Sequence, residues 1–325
     1  MATSSETVER RPLGQARSRI LRRPGDLALH GITGLAAAAA VLVLVLLAVQ
    51  VFRQAWPAIS AFGLGFISSA DWNPVTSVFG ARDLIWGTAV ASFVALLIAV
   101  PLAVAIALFL TELAPPALAA PIRTMVELLA AIPSVVLGLW GILVLGPALA
   151  DHVEPWLGSA LGFLPIFSGT PSAAGLLPAC VVLTIMVVPI VAAISREVFL
   201  TVPAELKEGA YALGATRWEV VRGVVLPQSA GGITAAVIIG LGRALGEAIA
   251  VTQVIGGAAA LHASLFEPAD TLASRIASQY QGAVSNIQIA SIAYLAAILL
   301  VLSLVVNVGA QVVISRFERR RLGVR

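Results

Sequence analysis

The chain has 325 residues, 59% of them hydrophobic and only 11% charged, whereas a soluble domain is about 25% charged. Its mean hydropathy of +0.98 excludes a soluble fold and puts most of the chain in a bilayer. The formal net charge of +3 comes from basic residues that flank apolar runs, so anionic lipid headgroups rather than nucleic acid are the expected counter-charge.

Residues 1–26 form a basic, serine-containing tail with Arg10, Arg11, Arg17, Arg19, Arg22 and Arg23, a composition expected to be disordered. A spanning helix needs about 20 mostly apolar residues, and the first candidate is Leu27–Phe52. That run is too long for a signal-peptide core and lacks an obvious small-residue cleavage site, so it is expected to stay as an anchor. The next loop, from Arg53 to Asp83, carries Trp56, Trp72 and the turn former Asn73-Pro74. Together with Trp86, Trp140 and Trp156, these tryptophans read as headgroup-level anchors.

A second span is predicted over Leu84–Leu110 and a third over Met125–Leu149. Glu112, at the end of the second, reads as an interfacial carboxylate reaching water. Glu127 lies near the start of the third, ahead of Pro133, which should bend that helix. The loop from Asp151 to Gly175 is rich in proline and glycine and leaves room for a re-entrant turn. The fourth span, Leu176–Ile194, holds the single cysteine, Cys180, which has no disulfide partner and reads as packing.

Residues 199–231 are a polar island with helix punctuation of their own. Pro203 stands where a helix starts, the segment through Leu213 favours helix, and Gly214 can take the positive φ that stops one. Thr216-Arg217-Trp218-Glu219 then has capping-box spacing, and Pro227 is expected to end the second helix. A helix, a sharp turn and another helix, bearing Tyr211 and Trp218, make an element shaped to dock into another protein.

The fifth span, Ile233–Ile255, contains Arg243 and Glu247. A charge at the centre of a bilayer costs roughly 2.5–3.5 kcal/mol on insertion scales. At i and i+4, opposite charges share one helix face and can neutralise each other. A permanent internal ion pair would satisfy this, and so would a substrate-facing arginine that attracts an anion while Glu247 positions it or competes for it. Intramembrane ionisable residues favour the second reading. Gly240, Gly242 and Gly246 would let another helix approach closely beside the charges.

The sixth span is Ile287–Ile314, and the tail 316–325 carries Arg316, Arg319, Arg320, Arg321 and Arg325. Six spans put both tails on one side, together with Arg123, Arg196, Lys207, Arg217 and Arg222. Only Arg53, Arg82 and Arg275 fall in the opposite loops. The positive-inside rule then makes both termini and the 199–231 loop cytoplasmic. Lys207, the only lysine, does not sit in G-x4-G-K-[ST], so the chain has no P-loop with which to grip ATP. His30, His152 and His262 are dispersed, and neither H-E-x-x-H nor G-x-S-x-G occurs. A protease or esterase is not expected, and no catalytic residue, cofactor or metal ligand is assigned.

The spacing Glu208-Gly209-Ala210-x3-Gly214-x9-Val224-x-Leu226-Pro227 resembles the coupling loop of binding-protein-dependent ABC importer permeases, with Gly209 for the usual alanine and Val224 for the usual isoleucine. Further stretches are similar to the permeases of phosphate-specific Pst systems, and most to their PstC type. These are Asp71-Trp72-Asn73-Pro74, Thr111-Glu112-Leu113-Ala114-Pro115, the segment 128–141, and Gly242-Arg243-Ala244-Leu245-Gly246-Glu247 followed by Ala248-Ile249-Ala250-Val251-Thr252. The resemblance covers nearly everything from Leu27 onward. It implies an all-α polytopic fold of the type I, MetI-like importer permease, with the permease domain over residues 27–315 and the last five spans forming its core. It further implies a non-catalytic subunit in a prokaryotic cytoplasmic membrane, with inorganic phosphate passing Arg243 and Glu247. Glu208, Gly209, Ala210, Gly214, Leu226 and Pro227 would seat in a PstB-like ATPase dimer. A PstA-like permease would complete a heterodimer, and a PstS-like phosphate-binding protein would deliver the substrate. Permeases for molybdate, sulfate or phosphonate share the coupling loop, whereas a secondary anion transporter has no need of one.

Overall fold

The computed structural model describes residues 24–321 apart from Ala259, and the side chains from Gly25 to Val312. The tail expected over 1–26 lies outside the described residues up to position 23, as does the end of the second tail from residue 322. The described chain runs through α1 (Pro24–Phe62), the hairpin strands β1 (Trp72–Asn73) and β2 (Val78–Phe79), α2 (Arg82–Leu113), α3 (Pro116–Ala131) and α4 (Ser134–Leu161). It continues through α5 (Leu176–Leu200), α6 (Ala204–Ala212), α7 (Arg217–Gly246), α8 (Ile249–Val254), α9 (Leu272–Gln279) and α10 (Asn286–Arg321). Among the described residues α1, α2, α4, α5, α7 and α10 are long and apolar enough to cross a membrane, in agreement with the six expected spans.

The described residues up to Arg53 form one compact unit and those from Gln54 onward a second. In the first, α1 is apolar on every side, with Leu42, Val43, Leu44 and Leu46 all exposed, as suits a helix bathed in lipid. The second unit is organised on α5. Every fourth residue of α2 from Ala91 to Ala107 is a buried alanine, and this stripe lets α2 lie close along α5, where Val187 and Val191 join Ala99 and Ala103 in one cluster. On the other flank α7 approaches just as closely, since a Cβ on Gly240 would stand 2.8 Å from a Val191 methyl.

Three prolines that a soluble-protein reading would treat as helix ends are instead carried through. The turns Gly141–Leu145, Leu149–Val153 and Val221–Val225 are π-helical, and each ends two residues before a proline, at Pro147, Pro155 and Pro227. The intervening residue donates its N–H five residues back, Gly146 to Gly141, Glu154 to Leu149 and Leu226 to Val221. A proline ring clashes with the carbonyl four residues back and offers no donor to it, and widening the turn ahead of it relieves both problems. Pro227 therefore does not end the second helix of the polar island, which continues as α7, and α4 runs on to Leu161 where a loop from Asp151 was expected.

Two other predicted spans are broken. The third is cut at Ile132-Pro133, both extended with ψ 126° and 139°, because a proline disfavours helix in the residue before it. The fifth is cut at Glu247, whose ψ of 118° takes it out of α7 and redirects the chain into α8. The two breaks are neighbours. A Cβ on Gly138, one turn into α4, would stand 2.8 Å from the Ala250 Cα of α8.

On the face opposite α6, Trp72 is a structural residue rather than a headgroup anchor. Its Nε1 donates to Gln279 Oε1 at 2.7 Å, and its ring meets Phe79 edge-on and lies 5.7 Å from the Arg275 guanidinium. Arg275 is itself buried, pairing with Asp270 at 2.7 Å and donating to the Gly257 carbonyl at 3.2 Å. Burial pushes the Asp270 carboxyl above its ordinary value, and Arg275 opposes that rise. Trp86 Nε1 donates to the His262 carbonyl at 3.3 Å. Trp56 and Trp156 stay exposed, as anchors would.

Substituting Ala99→Leu in the α2–α5 seam should lower stability by about 1–3 kcal/mol through overpacking, whereas Leu97→Ala on the exposed face of the same helix should change little. Thermal unfolding of the purified protein in one detergent compares the two.

Candidate functional site

The polar island folds as a helix-turn-helix whose hydrogen bonds are nearly all local. α6 begins after Pro203 and ends in a Schellman turn, with Ala215 N–H donating to the Ala210 carbonyl at 3.1 Å and Gly214 N–H to Tyr211 at 2.9 Å. Gly214 has φ +85°, the left-handed conformation this turn requires. The capping box forms in full. Glu219 N–H donates to Thr216 Oγ1 at 3.4 Å, and Glu219 Oε2 accepts from Thr216 N–H at 2.7 Å.

One side of this element is anchored. Ala210, Ala215, Val220, Val224, Val225 and Leu226 pack with Phe199 and Val202 against Val104, Ala107 and Leu108 near the end of α2. The other side is open. Leu213 and Trp218 are 90% and 66% exposed, Glu208 and Pro227 are exposed, and nothing lies within 4 Å of a Cβ built on Gly209 or Gly223. An apolar tip on a polar loop, with its backbone already satisfied, is a surface ready for a partner.

The second candidate centre is Arg243. It occupies the last turn of α7, where the negative end of the helix dipole favours a cation. Its Nη2 lies 3.0 Å from Glu247 Oε2, so the expected pair forms. Glu247, however, is not on the same helix face, because it is the residue at which α7 stops. Its side chain is 4% exposed while that of Arg243 is 44% exposed, and Glu247 Oε1 also accepts from Ala250 N–H at 3.2 Å, at the start of α8. One buried carboxylate thus holds the arginine and satisfies the broken backbone beside it.

Arg243 opens into a cavity of about 320 Å³ lined by Leu129, Ala130 and Ile132 at the end of α3, Leu137 of α4, and Met186 and Ile190 of α5. A liquid water occupies about 30 Å³, so the space fits a small hydrated oxyanion. Arg243 is the charged residue of an otherwise apolar lining, and its planar guanidinium can bind two oxygens at once.

Of the other acidic residues weighed from sequence, Glu127 forms an exposed i,i+4 pair with Arg123 at 2.6 Å and lies outside this cavity lining. Glu112 does not simply reach water, since it pairs with Lys207 of α6 at 2.5 Å. Those two are 95 residues apart, and no local spacing links them.

A membrane domain with a protruding two-helix loop and a cation at a helix break defines a transport subunit, and comparison with known proteins agrees. Residues 99–320 match the family described as binding-protein-dependent transport system inner membrane component, and the chain belongs to it, within the group of PstC permeases. Its relatives include the phosphate transport system permease protein PstC of Mesorhizobium japonicum, 46% identical over 87% of this chain and 89% of that one. PstC of Pasteurella multocida is 45% identical over 82% and 84%, and PstC 1 of Mycobacterium tuberculosis is 38% identical over 94% and 99%. A chain of a bacterial alginate ABC transporter, solved with an alginate-bound periplasmic protein, shares the fold with a TM-score of 0.59 at 17% identity, covering 91% of this chain and 98% of its own. The protein is thus a multi-pass membrane permease.

Substituting Gly209→Ala, which meets no neighbouring atom, should stabilise α6 by about 0.5–1 kcal/mol. Gly214→Ala should cost about 1 kcal/mol or more through its positive φ. Amide hydrogen exchange over residues 204–216 reads both as opposite changes in protection.

Proposed function

We propose that this chain is the membrane-spanning subunit of an ATP-driven importer of inorganic phosphate, with Arg243 as the anion site on its path. The observation that carries the reading is the guanidinium of Arg243 opening into an apolar cavity at the meeting of two broken helices, the kind of place where transporters hold substrate. The PstC relatives supply the substrate class. Both termini and the 199–231 loop are cytoplasmic in this reading, and ATP is hydrolysed by a separate ATPase dimer that receives the exposed side of α6, the Gly214 turn and the start of α7. A second permease of PstA type completes the path, and an extracytoplasmic phosphate-binding protein delivers the anion.

Phosphate must leave as readily as it arrives, so its site has to be weak. Glu247 supplies the weakening, because a carboxylate 3.0 Å from the arginine competes with every incoming anion. Closure of the ATPase dimer then moves α6 and, through the continuous α7, Arg243 itself, which lies on the same helix as the docking loop's second half.

The deciding experiment is ATP-dependent uptake of labelled phosphate by the reconstituted four-component complex. Arg243→Gln should abolish uptake while complex assembly stays intact, and unchanged uptake would remove Arg243 from the path. Glu247→Gln should lower KM and kcat together, since phosphate then binds without a competitor and leaves slowly, and parallel assays with molybdate and sulfate test the substrate. A Leu213→Asp variant should lose the co-purifying ATPase. Retention at wild-type levels would place the contact elsewhere.

A further inference from the structure

We infer that the Glu112–Lys207 ion pair ties the docking loop to the wall of the anion cavity opposite Arg243, which makes Lys207 and Glu112 positioning residues for import. This rests on the reading that the 199–231 loop receives an ATPase.

The loop is covalently continuous with α5 on one side and α7 on the other, so both follow any movement of it directly. The remaining cavity wall is different. Leu129 and Ala130 belong to α3 and Ile132 follows its last residue, and α3 reaches the loop by two routes, through apolar packing on α5, in which Val126 takes part, and through α2. Ala114 and Pro115 connect the π-turn Phe109–Leu113 at the end of α2 to the start of α3. Between the loop and α2 the contacts are mostly alanine and valine side chains, which attract without fixing direction and can slide. Glu112, in that π-turn, adds a directed contact. Its carboxylate lies 2.5 Å from Lys207 Nζ, with the two side chains 11% and 21% exposed.

The pair is partly withdrawn from water, and removing one partner leaves the other charge less well compensated there. It also sits at the junction where α2 hands on to α3. A push on α6 therefore reaches α2, and through Ala114-Pro115 it reaches the α3 residues that face Arg243. With the pair intact, both walls of the cavity move with the ATPase. Without it, α3 follows α5 and α7 through apolar packing alone, which can slip, and ATP is spent with less phosphate carried.

The test measures phosphate carried per ATP hydrolysed in the reconstituted complex. Lys207→Gln and Glu112→Gln should each lower that ratio about five-fold or more, at the low end of ordinary coupling factors, with the ATPase still bound and hydrolysing. Lys207→Arg should keep the ratio near wild type, and the reversed pair Glu112→Lys with Lys207→Glu should recover most of it. Single variants with a wild-type ratio would overturn the inference, as would a reversed pair no better than the singles. If a single variant fails to assemble, the reversed pair decides, since an assembled complex is either coupled or not. A wild-type chain that binds no ATPase would instead sink the reading of the loop itself.

Discussion

A peptide group inside a bilayer has no water to bond with, so a helix can be interrupted there only where protein atoms take over the freed donors and acceptors. Glu247 meets that requirement at the break between α7 and α8. Its buried carboxylate accepts from Ala250 N–H and holds the Arg243 guanidinium, so the group that repairs the backbone is also the counter-ion of the cation beside it. The break at Ile132-Pro133 faces the same space, and close packing of Gly138 on Ala250 keeps the two interruptions together. The cavity exists because two helices stop there, and at the second of these stops a buried carboxylate takes up a freed backbone donor.

The surrounding architecture divides into a seam and a lever. The seam is the alanine stripe of α2 lying along α5, a dense contact of small side chains in which dispersion and close backbone approach replace the hydrophobic effect. The lever is α7, which begins in the docking loop and carries Arg243 in its last turn. In the proposed importer a signal from the ATPase needs no relay through loops, because one helix carries it from the surface to the substrate.

Much of this was legible in the sequence, for reasons that can be located. The six spans follow from apolar run length, and the polar island was readable down to its Gly214 turn and Thr216 capping box because those devices act within four residues. What the sequence leaves hidden involves proline or distance. Taking Pro227 as a helix end overlooks the π-turn that accommodates it, which the sequence does not display, and the loop expected from Asp151 overlooks the π-turn ahead of Pro155 in the same way. The spacing of Arg243 and Glu247 permits one helix face, whereas the chain leaves the helix at Glu247 in favour of packing between α8 and α4. Trp72 against Arg275, and Glu112 against Lys207, are pairings across the chain that no local pattern encodes. Of the candidate site, the residues were visible and their joint enclosure by α3, α4 and α5 was not.

The π-turn at Val221–Val225 has a consequence for how Arg243 is aimed. Successive residues of an α-helix are set about 100° apart around its axis, and a turn that bonds five residues back holds one residue more than a regular turn. Everything beyond it is rotated relative to the docking loop by that surplus residue. The azimuth of Arg243 is therefore set some twenty residues away, by the turn ahead of Pro227. A single-residue deletion there could leave the helix long, apolar and membrane-spanning while swinging the guanidinium about a quarter-turn away from the cavity. The register of α7, as much as the identity of its residues, is what the local sequence around Pro227 maintains.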